Sequence, residues 1–551
     1  MNRLFSVLIA LLMVVCAHAQ KIKISGTVKD AKGESVPGVT VKVQGQKVAT
    51  MTSIDGKFII EADKDATLQF TSVGYNTVSV PVKGKSQLTV TLAETSEELN
   101  EVVITVPYGT RKKSTFTGSA GVVTGEKIAN SQVASVSKAL QGTVAGLQSF
   151  ATSGQPGEDA SVYIRGVGSV NASSDPLYVV DGVPYDGKLA NINSQDIASV
   201  TVLKDAAAAS LYGSRAANGV VVITTKRGRG AKPTVSIKGQ YGFSEPALPT
   251  TRMMTTSQYY DLWKTISPNA DFSIIRKYMD MGISTDWQSY LMKDNAPTWQ
   301  LDASITGVAN NTNYFISASH YDQDGVEPAS GMRRETLRSN IDTKVFDWLR
   351  VGVNLGLSYE DYETNNFATK GNNPYNVATL SRWALPWETP YKIVDDGNGK
   401  WHYGDRKDFF DVLGLWNPYY LLENQPGQKN KRRLYGNMFE ELTPVKGLTL
   451  RASQALDAFD YRYRYRQLPA AFNNNSGSAS ETFQRYSSMT FTNTAEYKFD
   501  VNKVHNATIL IGQEAIIYDG SAFGASVSGI TDDRLTLLSH GTTPQNPTAS
   551  I

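Results

Sequence analysis

From residue 234 onward the chain alternates in a way that few folds can use. Over 349–359 the odd positions are Leu349, Val351, Val353, Leu355, Leu357 and Tyr359, and the even ones Arg350, Gly352, Asn354, Gly356 and Ser358. Successive side chains of a strand point to opposite faces, so this segment has one apolar face and one small or polar face. The alternation recurs at 235–243 and 299–307, and less cleanly at 334–345, 448–457 and 486–499. It is weakest at 313–321, 433–442 and 505–518. The connections then select the architecture. Turns at Asn310-Asn311-Thr312, Phe346-Asp347-Trp348, Pro444 to Gly447 and Asp500 to Lys503 are short, whereas 244–297, 322–333, 360–431 and 458–483 read as long loops. Short turns on one side and long loops on the other are the topology of a transmembrane barrel. A soluble sandwich does not call for loops of about 50 to 70 residues on one side only. Phe346, Trp348 and Phe499 lie at short-turn ends, where an aromatic girdle would meet outer-membrane lipid.

Composition agrees with strands crossing a bilayer. The mean hydropathy is −0.28, and past residue 20 no apolar run reaches the length of about 18 that a spanning helix needs. The alternation of a barrel dilutes its apolar content, so a low mean does not exclude one. A net charge of +2 in 551 residues points to no nucleic-acid partner. Residues 1–19 read as a signal peptide: Arg3, then an apolar run from Leu4 to Cys16, then Ala17-His18-Ala19 before Gln20. Val15 before Cys16 argues against a lipidation signal, which wants a small residue there. Cleavage after Ala19 leaves a chain without cysteine, and hence without disulfides.

Residues 20–97 form a compact β unit. Val39-Thr40-Val41-Lys42-Val43 and Leu88-Thr89-Val90-Thr91-Leu92 alternate, and Pro37-Gly38, Asp55-Gly56 and Val73-Gly74-Tyr75 mark turns. Several short strands in so few residues predict a small Ig-like β-sandwich. It resembles the carboxypeptidase regulatory-like domain through Gly26-Thr27-Val28, Asp55-Gly56-Lys57-Phe58 and Phe70-Thr71-Ser72-Val73-Gly74-Tyr75. Residues 98–110 read as a linker around the short apolar run Val102-Val103-Ile104-Thr105-Val106. Spacing alone leaves two readings for that run: an edge strand for a partner, or the first strand of the next domain. Residues 111–231 mix helix and strand and predict an α+β domain. Val133 to Leu147 reads as a helix ending near Gly142 or Gly146, and Ile197 to Tyr212 as a strand followed by an Ala-rich helix.

The α+β region carries the most specific resemblance. Ser137-Lys138-Ala139-Leu140-Gln141-Gly142-Thr143-Val144-Ala145-Gly146-Leu147 begins it, and Ile164-Arg165-Gly166-Val167-Gly168-Ser169 follows. Asp175-Pro176-Leu177-Tyr178-Val179-Val180-Asp181-Gly182-Val183-Pro184 and Leu211-Tyr212-Gly213-Ser214-Arg215-Ala216-Ala217-Asn218-Gly219-Val220 complete it. The region resembles the plug of the SusC/RagA family of TonB-dependent outer-membrane transporters. The resemblance implies a mainly β protein: sandwich, α+β plug, and, over 232–551, the N-terminal part of a large antiparallel transmembrane β-barrel. It implies that Glu101, Val102, Val103, Ile104, Thr105 and Val106 form a TonB box, to which TonB adds a strand and through which it pulls on the plug. Pro107 lacks the N–H that a longer ladder would use. The resemblance further implies import of a glycan oligosaccharide or peptide across the outer membrane, with a SusD-like surface lipoprotein as partner.

The plug motif residues have their own physical reading. Gly166, Gly168, Gly182 and Gly213 lie beside strand ends, where positive φ or close backbone approach is expected. Arg165 and Arg215 are expected to make buried ion pairs within the plug or with the barrel wall, and Asp181 and Tyr212 to shape the plug.

An enzyme is not indicated. The five histidines, His18, His320, His402, His505 and His540, are too far apart in sequence for a zinc-binding helix. No nucleophile elbow or Walker lysine motif appears, and Gly166-Val167-Gly168 has Asn171 where a dinucleotide loop has its third glycine. No cofactor or metal is expected; Asp181, Asp186, Asp395 and Asp396 read as turn formers rather than calcium ligands. A surface adhesin or structural β-protein is the alternative, but it leaves the plug motifs unexplained. Tyr259, Tyr260, Trp263, Trp383, Trp387 and Tyr391 in the long loops are candidates for stacking on sugars, and more readily explained as packing the loops. Nine strands against the about 22 of the largest plugged barrels predict the truncated, N-terminal portion of a longer chain.

Overall fold

The computed structural model describes residues 21–93, 103–364 and 377–550, apart from short gaps at 31–32, 47, 73–74, 107–108, 113–117, 152, 170, 206–209, 248–251, 412–413, 470–475, 502–504 and 546. The predicted signal peptide therefore lies outside the described residues.

The first unit is a β-sandwich. Its strands are β1 (Lys21–Asp30), β2 (Thr40–Val43), β3 (Ala49–Met51), β4 (Lys57–Asp63), β5 (Thr67–Thr71), β6 (Val78–Pro81) and β7 (Gln87–Leu92). One sheet runs β4-β1-β7 and the other β3-β2-β5-β6. Strands β2, β4 and β7 bury every second residue, as one-sided sheets do. The inward residues, among them Val41, Phe58, Leu68, Phe70 and Val90, form one core. Phe58 and Phe70 meet edge to face with centroids 5.3 Å apart. Gly26 sits in β1 because a Cβ there would strike the Leu88 carbonyl and lie 2.7 Å from the Phe58 ring.

The second unit opens with β8 (Val103–Val106), paired with β9 (Gly109–Lys112). The plug follows. Strands β10 (Ala120–Thr124), β13 (Leu177–Val180), β14 (Val183–Pro184), β15 (Ile197–Leu203) and β16 (Val220–Thr225) form one sheet in the order β10-β15-β16-β13-β14. Strands β11 (Leu147–Phe150) and β12 (Ser161–Ile164) form a separate pair. Helix α1 (Gly125–Asn130) was not predicted, and the predicted helix over 133–147 shrinks to α2 (Val136–Ala139). Gly142 and Gly146 stop it with φ of 67° and 76°, and the chain then enters β11. The predicted strand after Ile197 is present. Ala206–Ala209 of the predicted Ala-rich helix lie outside the described residues, and Ser210–Ala216 is a 3-10 segment kinked at Gly213.

The wall is an antiparallel sheet whose neighbours follow chain order: β17 (Thr234–Ser244), β18 (Ala296–Ala309), β19 (Thr312–Asp324), β20 (Gly331–Phe346), β21 (Leu349–Glu363), β24 (Gly427–Leu442), β25 (Leu448–Gln467), β26 (Gly477–Val501) and β27 (His505–Ile530). Every predicted segment is one of these strands, and each is longer than predicted. The predicted loop 458–483 is mostly strand, because β25 reaches Gln467 and β26 starts at Gly477. Tyr461-Arg462-Tyr463-Arg464-Tyr465-Arg466 keeps the period of two, but both of its faces are amphipathic, so hydropathy hid it. Leu349 to Tyr359 pair with Leu442 to Arg432 residue for residue. From Trp348 to Tyr359 the strand takes eleven steps of about 3.3 Å, which at a tilt near 40° rise about 28 Å, close to the ~25 Å apolar band of outer-membrane barrels. Phe346 and Trp348 stack at 5.4 Å on the short-turn rim and are about half exposed, as a girdle requires.

The two longest connections fold together. The first holds α3 (Thr256–Ile266), α4 (Ser273–Asp280) and α5 (Trp287–Leu291). The second holds α6 (Val377–Trp383), the hairpin β22 (Tyr391–Asp395)–β23 (Trp401–Arg406), and α7 (Pro418–Asn424). Trp287 and Leu291 of the first pack with Phe410 and Leu422 of the second. Tyr260, Ile275 and Tyr278 pack with Trp387. A shared core makes one cap out of loops about a hundred positions apart in sequence.

Candidate functional site: the contact between plug and wall

Asp181 and Gly182 make the two-residue turn between β13 and β14, with φ of 50° and 89° and Val180 paired to Val183. Positive φ at both positions matches the twist of the strands they join, and Asp-Gly is the sequence that tolerates it. The turn presents the Asp181 carboxylate to the end of β16. There it accepts from the Thr225 N–H at 3.0 Å and the Thr225 hydroxyl at 2.7 Å.

The wall answers with arginine. Arg334 and Arg338 stand on the inward face of β20, four residues apart and hence on one side of the strand. The Arg338 side chain is 3% exposed and lies 3.2 Å from Asp181 and 3.8 Å from Asp196, both plug carboxylates that are 4% exposed. It also donates to the Tyr435 hydroxyl and lies 5.1 Å over that ring. Asn340 donates to the Thr225 hydroxyl at 2.8 Å and to the Lys226 carbonyl at 2.7 Å. Ser317 of β19 donates to Asp196 at 2.6 Å. Arg334 donates to the carbonyls of Ala134 and Ala190. On β24, Arg433 pairs with Asp457 of β25 and lies 4.3 Å over the ring of Tyr185 from the plug. Tyr185 in turn meets Tyr435 edge to face at 5.3 Å. Burial pushes the Asp196 carboxyl above its ordinary range, and Arg338 opposes that push. Buried charges survive only when paired, so this cluster keys one plug orientation to one stretch of wall.

The predicted plug residues fall in several places. Arg165 pairs with Asp205, but its side chain is 56% exposed. The expected burial is therefore corrected: Arg165 and Gly166, with φ of 61° and 100°, form a turn that carries the side chain outward. Arg215 does reach the wall, 3.0 Å from Glu514 of β27, in a pair one-third exposed on the arginine side. Gly213 has φ of 67°, whereas Gly168 has no positive φ; a Cβ there would sit 2.9 Å from the Asn218 side-chain oxygen. Tyr212 is buried with Leu203, Val220 and Val222. Val103 to Val106 of the predicted TonB box form β8; Glu101 and Val102 lie outside the described residues. Asp186 accepts from the Tyr486 hydroxyl at 2.8 Å, and Asp395 accepts from the Gly397 N–H at 2.9 Å. In the cap, Tyr260 and Trp387 are buried, Tyr259 lies edge to face on Trp387 at 4.8 Å, and Tyr391 lies 5.0 Å from Arg406. Trp263 and Trp383 remain 38% and 58% exposed. Sequence reasoning missed Arg334, Arg338 and Arg433. The available signal was an arginine at an inward position of an alternating strand, where a water-facing residue need not be charged.

Comparison with known proteins bears on this architecture. Residues 112–220 match the model of the TonB-dependent Receptor Plug Domain, and 24–104 that of the CarboxypepD_reg-like domain. TonB-dependent receptor P26 of Formosa agariphila is 32% identical over 530 residues, covering 94% of this chain and 51% of the relative. TonB-dependent receptor SusC of Bacteroides thetaiotaomicron is 34% identical over 371 residues, 64% of this chain and 36% of the relative. The solved RagAB peptide transporter superposes with a TM-score of 0.69 at 32% identity, over 79% of this chain and 52% of that one. A plug seated against an antiparallel barrel wall, with that plug model matched in sequence, defines a TonB-dependent receptor of the outer membrane. Within that class the chain belongs to the SusC/RagA-like family, preceded by a carboxypeptidase regulatory-like domain. It spans about half the length of P26 and of the solved transporter chain.

Proposed function

We propose that the protein works in energy-dependent import of an oligosaccharide or a peptide across the outer membrane. The buried Arg338 contact carries the reading, because it closes one plug orientation against the wall until work is done on it. That work comes from TonB, which adds a strand to the segment Glu101 to Val106 and pulls. The pairing of β8 with β9 gives way when TonB takes β8 as its partner. A SusD-like lipoprotein covers the cap, where Trp263, Ile266 and Trp383 are exposed. The peptide class follows the name of the solved RagAB peptide transporter, and the oligosaccharide class follows the family resemblance of the plug.

The test is uptake of fluorescent oligosaccharide and peptide libraries by a Gram-negative host carrying the complete gene. Ile104→Pro removes an N–H from the pairing strand. Accumulation of one library class, lost in Ile104→Pro with surface display intact, is the expected result. Equal uptake by the two proteins would refute the TonB pairing, and no uptake of either class would refute the substrate reading.

A further inference from the structure

The outward face of the wall carries a groove of about 710 Å³. Its lining comes as triplets from five adjacent strands, centred on Thr336, Ser358, Arg433, Phe459 and Ser487's neighbour Tyr486. Arg433 faces the plug, so the residues flanking each centre face the other way, toward the bilayer. One lip is apolar and small: Leu337, Leu357, Leu434, Ala458 and Ser487. The opposite lip, toward the long loops, is Glu335, Tyr359, Arg432, Asp460 and Arg485. These five stand in one cross-strand row, each paired with the next.

The charges are unequally engaged. Arg485 holds Asp460 with two bonds of 2.8 and 3.0 Å. Glu335 faces His320 at 3.3 Å. Arg432 is exposed and takes part in none of the ion pairs among the described residues; its guanidinium lies 5.9 Å from the Tyr359 ring. A second groove of about 450 Å³ shares Tyr359, Arg432 and Asp460 and adds Arg462 and Arg464 around Glu481. Both of those arginines lean on that one carboxylate. Apart from Arg433, which faces the plug, the two grooves together set four arginines against three carboxylates, with the surplus at Arg432.

We propose that this groove binds a phosphate-bearing lipid of the leaflet on the long-loop side. The lipid's chain lies along Leu337, Leu357, Leu434 and Ala458, and its phosphate accepts from Arg432, with Arg485 one place further along the row, beyond Asp460. Guanidinium is the cation best matched to phosphate, and the position at the edge of the apolar band is where a headgroup sits. The inference rests on the outer-membrane barrel reading.

The test uses the complete protein, purified from outer membranes in maltoside micelles and doped with dioleoyl phosphatidic acid or dioleoyl phosphatidylcholine. Native mass spectrometry counts the retained lipid. Phosphatidic acid is expected to be retained over phosphatidylcholine. Arg432→Gln should lower that retention about tenfold, as loss of a charge-assisted contact does. Ala458→Trp, which fills the apolar lip and leaves the charges in place, should lower it too. Equal retention of the two lipids, or no effect of either variant, overturns the proposal, as does competition by inorganic phosphate, which would mark a site for soluble anions. Heat-modifiable gel mobility separates the two failures. Its loss in the wild type sinks the barrel reading, whereas its presence without lipid selectivity sinks the lipid site alone.

Discussion

Arg338→Met removes the cation from between Asp181 and Asp196 and keeps most of the side-chain volume. Two carboxylates, each 4% exposed, are then left without it. Truncating one partner of a buried pair costs about 3–5 kcal/mol, because the remaining charge stays desolvated. If the plug opens as a unit, amide protection in β16 should fall about 150- to 5,000-fold, at 1.36 kcal/mol per tenfold. Hydrogen exchange on the intact protein measures this, with heat-modifiable mobility as the check that the wall is closed. Arg215→Met is the internal contrast. Its pair with Glu514 is one-third exposed on the arginine side and screened by solvent, so under about 1 kcal/mol, or fivefold, is expected. The pH dependence has a definite sign. Burial raises Asp196, and Arg338 opposes it. Without the cation the folded carboxyl rises further above its unfolded value. A raised carboxyl leaves docking intact below the unfolded value, near pH 4, and weakens it as pH rises through the folded value. Arg338→Met should therefore loosen the plug more at neutral than at acid pH. Protection in Arg338→Met within about fivefold of wild type, or equal to that in Arg215→Met, would refute the reasoning.

Three further outcomes are expected. Gly182→Val places a β-branched residue at φ of 89° in the β13–β14 turn and should cost about 1–3 kcal/mol of plug stability, read by proteolysis of the plug. Phe70→Ala opens the sandwich core opposite Phe58 and should cost about 3–5 kcal/mol, seen as an earlier urea transition of the first unit. Asp205 is held below the ordinary aspartate range, first by the Ser119 N–H and then by Arg165, so this contact stabilises above that range and is lost as pH falls below it. The protection of the Ser119 amide, the slowing of its exchange relative to the free amide at the same pH, should fall on acidification, and Asp205→Asn should remove that pH dependence.

Much of the fold was legible because its signals are local. A strand shows its two faces in consecutive residues, so Leu349 to Tyr359 declared one side for lipid and one for the interior. Asp181-Gly182 declared its turn for the same reason, since positive φ is a property of those residues themselves. The Tyr-Arg alternation at 461–466 has the right period but too little polarity contrast, so its strand could not be told from a loop. Val133 to Leu147 failed as a helix because packing in the plug overrode a weak local preference. What only the tertiary structure decided is pairing at a distance. Arg338 and Asp181 are 157 positions apart, and nothing near either one names the other. The same holds for the cap, where Tyr278 and Asp411 share a hydrogen bond across 133 positions. Period and turn chemistry are written residue by residue, whereas the partner of a buried charge is set by which surfaces the folded plug and wall bring together.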